Sequence, residues 1–334
     1  MKKRILFGSA VAAGAALYLA GRQQGLERGR FRPLQREETG GFLDALRWLA
    51  TRKPGPWEKD EALQPGPPPP RHVEGSALRA TFVGHATVLL QTEGMNLLTD
   101  PIWSERASPL PFVGPARVRQ PGIRFADLPK IDAVLISHDH YDHFDRETIR
   151  KLAVVHRARF FVGLGNGARL ARQGIEAREM HWWEEAPLGD RLRIACVPAQ
   201  HFSGRGILDR DSTLWCGFVI RALAGPIYFA GDTGFGDHFA QIHERYGPTR
   251  LALLPIGAYE PRWFMKPVHI SPEEAVRAHE LLGAHASLAI HHSTFPMADE
   301  GRDEAAAALQ QEAQAHRARF HTCLPGGVLE LRGG

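Results

Sequence analysis

From residue 78 onward, short apolar runs alternate with polar stretches that carry glycine, aspartate and histidine. Leu78–Val83, Val88–Thr92 and Asn96–Asp100 read as strands, and Glu93-Gly94 between the last two is a tight reversal suited to antiparallel pairing. Ile131–Ile136, Arg159–Val162, Leu192–Val197, Pro226–Ala230 and Ser287–Ile290 repeat the apolar pattern. Between them, Asp145–Val154, Gly236–Tyr246 and Pro272–Leu282 read as helices. Asp145 caps the first, with Glu147 in its opening turn; Ser271 caps the third, with Pro272 at its first position and Glu273 and Glu274 next. Asp299–Arg317 is an Ala-rich covering helix. Strands interleaved with helices predict an α/β domain.

The chain before residue 77 has a different texture. Met1-Lys2-Lys3-Arg4 precedes sixteen uncharged residues, Ile5 to Ala20. This layout predicts a membrane-anchor helix over 1–21; a cleaved signal peptide shares it, but Tyr18 ahead of Leu19-Ala20 spoils the small-x-small cleavage pattern. Basic residues stand on both sides (Lys2, Lys3 and Arg4; Arg22, Arg28, Arg30 and Arg32), so neither side of the membrane is favoured. Phe42, Leu43, Leu46, Leu49 and Ala50 fall at helical spacing with Trp48 beside them, which suits a helix packed on the domain or one lying at a bilayer surface. The Pro-rich run from Gln64 to Pro70 ends any helix. Three regions follow: an expected anchor (1–21), a helical and Pro-rich linker (22–76) and an α/β domain (77–334).

Composition changes this picture little. With 334 residues, 43% hydrophobic and 23% charged, the chain is long enough for one large globular domain plus extra segments. A net charge of +4, with no basic tail and no Arg-rich stripe interleaved with aromatics, argues against a nucleic-acid partner. Cys196, Cys216 and Cys323 are odd in number and far apart, and read as small buried hydrophobes rather than a disulfide framework. Gly163-Leu-Gly-Asn-Gly167 lacks the Lys-Ser/Thr of a phosphate loop. Trp182 and Trp183 suit the core and a ligand contact equally.

The chemistry concentrates in Ser137-His138-Asp139-His140-Tyr141-Asp142-His143, on the loop leaving the strand that ends at Ile136. Three imidazoles and two carboxylates within six residues are foreign to an ordinary solvated loop and suit first-row divalent metals such as zinc. His138 and His140, two apart in an extended segment, project to one side and can chelate one ion. Asp142 and His143 follow on the turn and point elsewhere, so one loop offers ligands to two adjacent ions. The remaining ligands must come from downstream, and His201, Asp232 and His291 each follow a strand-like run.

The order His-x-His-x-Asp-His, then His, Asp and His on later strand ends, resembles the metallo-β-lactamase superfamily. Within it the chain is most similar to the N-acyl-phosphatidylethanolamine-hydrolysing phospholipase D family, on Gly84-His85-Ala86-Thr87-Val88, Leu98-Thr99-Asp100-Pro101-Ile102, Arg106-Ala107-Ser108-Pro109 and Trp182-Trp183-Glu184-Glu185. Pro255 to Lys266, and His269 with Pro272-Glu273-Glu274-Ala275-Val276, complete the match over roughly residues 78–298. The resemblance implies a four-layer αβ/βα sandwich. Two zinc ions are expected: His138, His140 and His201 on the first, Asp142, His143 and His291 on the second, and Asp232 bridging both. A bridging hydroxide would be the nucleophile, with Asp142 as proton acceptor. By the same resemblance His269 acts on the substrate side, Tyr259 helps to line the cleft, and His85 and Asp100 support the ligands. The implied reaction is hydrolysis of an N-acylated phosphatidylethanolamine at a membrane to phosphatidic acid and an N-acylethanolamine. A lactonase or other hydrolase of a soluble substrate is the alternative, since the ligand set alone does not choose the electrophile. Phe202-Ser203-Gly204-Arg205 and the N-terminal region depart from the family pattern.

Overall fold

Strands that are apolar on both faces have to be covered on both faces, and this chain does so by stacking two sheets and flanking each with helices. The computed structural model describes residues 26–27, 30–32, 41–206 and 208–333, so the expected anchor over 1–21 lies outside the described residues. A short hairpin, β1 (Leu26–Glu27) and β2 (Arg30–Phe31), is followed by α1 (Phe42–Thr51). The first sheet then takes β3 (Leu78–Gly84), β4 (Thr87–Thr92), β5 (Met95–Thr99), β6 (Ala133–Ile136), β7 (Arg159–Gly163) and β8 (Ala177–Met180). The second takes β9 (Glu185–Leu188), β10 (Leu192–Val197), β11 (Gly217–Ala222), β12 (Gly225–Phe229), β13 (Leu251–Pro255), β14 (Ser287–Ile290) and β15 (Phe320–His321). β16 (Val328–Leu331) returns to the first sheet, beside β3.

The two seven-stranded sheets are built alike: β16-β3-β4-β5-β6-β7-β8 is antiparallel up to β5 and parallel beyond it, and β9-β10-β11-β12-β13-β14-β15 is antiparallel up to β12 and parallel beyond it. Phe82, Leu90, Leu135 and Phe161 of the first sheet meet Ile194, Phe218, Phe229, Leu253 and Ile290 of the second in the central core. Outside the first sheet, Ile149 and Leu152 of α2 (Arg146–His156) and Leu170 of α3 (Asn166–Ala171) cover Val134, Ile136 and Phe160. Outside the second, α4 (His238–Tyr246), α6 (Pro272–Leu281) and α7 (Glu304–His316) bring Phe239, Val276 and Leu309 against Tyr228, Ala252 and Leu254. A single turn, α5 (Arg262–Met265), stands between β13 and α6. The layers run helix, sheet, sheet, helix.

Capping follows the local sequence. Ser271 and Glu274 exchange backbone and side-chain hydrogen bonds at 3.2 and 3.0 Å, closing a capping box at the start of α6. The Ala-rich helix starts at Glu304, five residues later than its composition suggests. The reason is that Asp299 and Glu300 turn inward as acceptors: Asp299 takes the Trp48 indole N–H and the Lys53 N–H, and Glu300 takes the N–H groups of Ala258 and Glu260.

That bracket fastens the N-terminal segment to the domain. Trp48 of α1 stacks on Phe264 with ring centroids 5.4 Å apart, and the Trp57 indole donates to the Glu300 carbonyl at 2.8 Å. The Pro-rich run lies alongside, with Gln91 and Asn96 side chains donating to the carbonyls of Pro70 and Arg71. Leu43, Leu46 and Leu49 of α1 face outward, 78, 45 and 56% exposed. Among the described residues no helix is long and apolar enough to cross a membrane. Cys196 and Cys216 are buried, Cys323 partly so, and all three are free thiols.

The strand directions decide where the chemistry goes. The carboxyl ends of β3, β5, β6, β10, β12 and β14 all open on one rim. Gly231, at φ +62°, passes so close under Ser137 that an added Cβ would lie 2.5 Å from the Ser137 Cβ. Gly231→Ala is therefore expected to wedge two loops of that rim apart and to cost about 1–3 kcal/mol of stability, typical of overpacking, in a denaturant titration.

Candidate metal centre

The loop after β6 is set by Asp100, which stands at the end of the neighbouring β5. The Asp100 carboxylate accepts the Ser137 N–H at 2.7 Å and the Ser137 hydroxyl at 2.5 Å, and takes the Nδ1–H of His143 at 2.6 Å. Nε2 of His143 is thereby aimed between Asp142 and Asp232, 3.1 and 3.2 Å from their Oδ2 atoms. His291, at the end of β14, brings its Nε2 to 3.3 and 3.2 Å from the same two atoms. His85, at the end of β3, reaches Asp142 Oδ2 at 2.8 Å and lies over His291 with ring centroids 4.1 Å apart.

A second trio stands on the other side of Asp232. Nε2 of His138 is 2.8 Å from Nδ1 of His140, which is 3.3 Å from Nε2 of His201. The Val268 carbonyl fixes His201 through its Nδ1 at 3.0 Å. Asp232 Oδ2 is 3.8 Å from His201 Nε2 and 3.9 Å from His269 Nδ1. The seven expected ligands thus meet at one place, with Asp232 between the two groups.

The electrostatics show what the cluster requires. Burial pushes the Asp142 and Asp232 carboxyls up, but the charges and hydrogen bonds of His143 and His291 outweigh it and hold both well below the usual carboxylate range. Burial also opposes the charge on His143 and His291, yet Asp232 and its neighbours raise His143 well above the imidazole range and His291 to about 9. On the other side, burial and the neighbouring rings push His138 and His201 far down. Burial lowers His269 to about 4 and His85 to about 3. Carboxylates held ionised and imidazoles whose protonation burial opposes, converging in one buried site, are the donor types that a divalent first-row ion takes.

A metal ion fits that requirement. Ligand atoms of His138, His140 and His201 lie within 4.8 Å of one another, as do those of His85, Asp142, His143 and His291, and those of His201, Asp232 and His269. Asp232 Oδ1 and His269 Nδ1 are buried without a hydrogen-bond partner among the described residues. Unsatisfied buried polar atoms are rare in folded proteins, and two converging on one point are the signature of a group they are built to hold.

The centre lies at the floor of a cleft of about 620 Å³. Its metal end is lined by His140, Asp142, His201, Asp232, His269 and His291; its far walls by Ala45, Trp48, Phe202, Phe264, Met265, Val268 and Met297, with Ser203, Gly204, Gly206 and Arg210 on the rim. His269 lines this space, and its Nδ1 also lies within reach of the ligand atoms of His201 and Asp232. Tyr259 does not line the space: it packs against the core under α6 and α7, and Ala258 takes the lining position. Trp182 is core, its indole donating to the Trp215 carbonyl at 2.8 Å. Trp48 and Ala45 were invisible as site residues in the sequence, where they are one face of a short amphipathic helix far from any ligand.

With the geometry in hand, comparison with known proteins places the chain. The beta-lactamase superfamily domain matches residues 95–292. The chain belongs to this superfamily. A superfamily relative from Caenorhabditis elegans, "N-acyl-phosphatidylethanolamine-hydrolyzing phospholipase D 1", is 44% identical over 233 residues, 66% of this chain and 65% of the relative. A Saccharomyces cerevisiae relative named "N-acyl-phosphatidylethanolamine-hydrolyzing phospholipase D, mitochondrial" is 35% identical over 66% of this chain; the aligned region spans 48% of that protein. The superfamily fold recurs in an isothiocyanate hydrolase from Delia radicum gut bacteria, with a TM-score of 0.61, 22% identity, and coverage of 77% of this chain and 100% of that one.

Asp232→Asn removes the charge that both ligand groups share. Its total metal content by elemental analysis should fall while the far-ultraviolet circular dichroism stays that of the wild type; undiminished content would show that Asp232 is not a ligand.

Proposed function

We propose that the protein is a metal-dependent hydrolase of the phospholipase D type, holding two zinc ions and acting on N-acyl-phosphatidylethanolamine-like phospholipids. The observation that carries this reading is the split character of the cleft: a metal end rich in imidazole and carboxylate opens directly onto a wall of Trp48, Phe202, Phe264, Met265, Val268 and Met297. A substrate with an anionic scissile group and a long apolar tail matches both ends. The activity that the nematode and yeast relatives are named for supports the same substrate class.

His138, His140 and His201 would hold one ion, Asp142, His143 and His291 the other, and Asp232 both. Such a pair supplies a water of near-neutral pKa and positive charge beside the phosphoryl oxygens. The chain's own groups do the rest. Asp100 and the Val268 carbonyl orient His143 and His201, and His85 buttresses Asp142. His269, neutral and half-turned toward Asp232, offers a hydrogen bond to a substrate oxygen without adding a competing charge. Water adds to phosphorus, the bond from phosphorus to the headgroup oxygen breaks, and phosphatidic acid and an N-acylethanolamine leave.

We place the protein at a membrane surface. Support comes from Leu43, Leu46 and Leu49, exposed on the helix whose other face lines the cleft, from half-exposed Trp263 beside it, and from the apolar run over 5–20 in the sequence.

Incubated with this phospholipid in isotope-labelled water, the enzyme should place the label in phosphatidic acid and form little phosphatidyl alcohol when a short-chain alcohol is present. Abundant alcohol transfer would contradict direct attack by water, and fast lactone hydrolysis without lipid turnover would favour a soluble-substrate enzyme. His269→Ala should lower turnover at unchanged metal content; loss of a metal equivalent would make His269 a ligand.

Replacing Leu43, Leu46 and Leu49 together by Ser should reduce co-sedimentation with phospholipid vesicles while leaving hydrolysis of a monomeric short-chain substrate intact. Undiminished vesicle binding would show that α1 is not the contact.

A further inference from the structure

Between the two metal-binding histidines of the loop after β6 sits Asp139, whose side chain is fully buried but points away from the metal cluster. Its Oδ2 is 2.7 Å from Nη2 of Arg169, a residue of α3 only 12% exposed at its side chain, and its Oδ1 accepts the Gly204 N–H at 2.7 Å. The same Arg169 nitrogen reaches Asp209 Oδ2 at 2.9 Å, and Asp209 Oδ1 accepts the N–H groups of Arg205 and Gly206 at 3.0 and 2.7 Å. Arg205 closes the circuit in the opposite direction. Its Nη1 donates to the carbonyls of Asp139 and Phe144 at 2.8 and 2.9 Å, its guanidinium lies 3.9 Å from the Tyr141 ring centroid, and its own carbonyl takes the Tyr141 hydroxyl at 2.8 Å.

Two loops are joined here. One carries His138, His140, Asp142 and His143; the other, from Ser203 to Arg210, forms the rim of the cleft. The Arg169 arm attaches at Asp139, between His138 and His140; the Arg205 arm spans the loop, holding the carbonyls of Asp139 and Phe144 on either side of Asp142 and His143, whose side chains are set by His85 and Asp100. We propose that Arg169 is a positioning residue for the first metal position alone: through Asp139 it fixes the spacing of His138 and His140, and through Asp209 it fixes the rim loop that follows His201. This rests on the two-ion reading above. One guanidinium nitrogen, Nη2, serves both carboxylates, so the two loops share a single cation.

The test is a metal titration. Full-length wild type, Arg169→Met and Arg169→Lys are stripped with chelator and titrated with Zn2+ against a chromophoric competitor, with folding followed by circular dichroism. The wild type should take up two equivalents. Arg169→Met should weaken one of them by about 10- to 100-fold, the range seen when the partner of a metal ligand is removed, and leave the other unchanged; Arg169→Lys should fall between. If Arg169→Met does not fold, Arg169→Lys carries the comparison by the same criterion. Two wild-type equivalents in the variants, or equal weakening of both, would overturn the inference. A wild type that takes up fewer than two would overturn the two-ion reading itself, and the assignment of Arg169 with it. Asp209→Asn, which cuts only the outer arm, should keep both affinities and raise KM more than it lowers kcat; loss of the first equivalent in this variant would relocate the control from Asp139 to the rim.

Discussion

Three carboxylates, Asp100, Asp142 and Asp232, are buried where the strand ends of both sheets meet, and most of what is unusual in the structure answers to their charge. An ionised carboxylate taken out of water and left unpaired costs several kcal/mol even after the surroundings relax. Asp100 is compensated within the chain, by Ser137 and His143, and is raised by its burial. Asp142 and Asp232 are compensated by His143, His291 and His85, which are themselves held in place by Asp100, by the backbone and by stacking. These groups share partners with one another. Removing any one partner strands another, so the site can tolerate little change, while the helices far from it can tolerate a great deal.

Aiming so many side chains at one point bends the backbone at the rim. His85, Asp100, Ala258 and His291 adopt left-handed conformations at φ between +30° and +59°, although none is glycine. Each such residue costs about 1–3 kcal/mol and persists only where the surrounding structure over-determines it. Here the over-determination comes from packing behind the rim: Gly257 comes so close to the His291 carbonyl that an added Cβ would lie 2.0 Å from it, and the His291 N–H is held by the His85 carbonyl at 2.8 Å. The sandwich core, with its fully buried Phe82, Phe161, Phe218 and Phe229, supplies the rigidity that keeps these turns from relaxing.

The cluster of imidazoles and carboxylates was legible in the sequence because its chemistry is local. His138 to His143 is contiguous, and His201, Asp232 and His291 each stand just after an apolar run, so strand periodicity was enough to deliver them to one rim. The strands were legible for the same reason. Elsewhere tertiary contacts overrode local signals. The Ala-rich segment is a good helix former from Asp299 onward, yet Asp299 and Glu300 serve as acceptors for α1 and for the loop after β13, and the helix waits until Glu304. Tyr259 sits in the most family-specific stretch of the chain but turns into the core, because the stretch is positioned by Glu300 rather than by an extended cleft wall. Arg169 carries no pattern at all: a lone arginine on a six-residue helix becomes meaningful only when the fold sets it beside Asp139 and Asp209.

The two ends of the cleft come from different parts of the chain, and this separates their demands. The metal end is made of strand ends that the core fixes and the charge balance constrains. The apolar wall is made mostly of α1, α5 and the segment around Met297, joined by Phe202 and by Val268, whose carbonyl also holds His201. Trp48 lies well before residue 95, where the superfamily match begins, yet it stacks on Phe264 inside that match and closes the cleft. Fold and ligand set alone do not choose a substrate. A wall added by a strapped-on helix does contribute to that choice, because side chains such as Ala45 and Trp48 can change the depth and polarity of the cleft without disturbing a single buried charge. On this argument the chemistry of the centre is a property of the two sheets, and its selectivity is a property of what is laid across them.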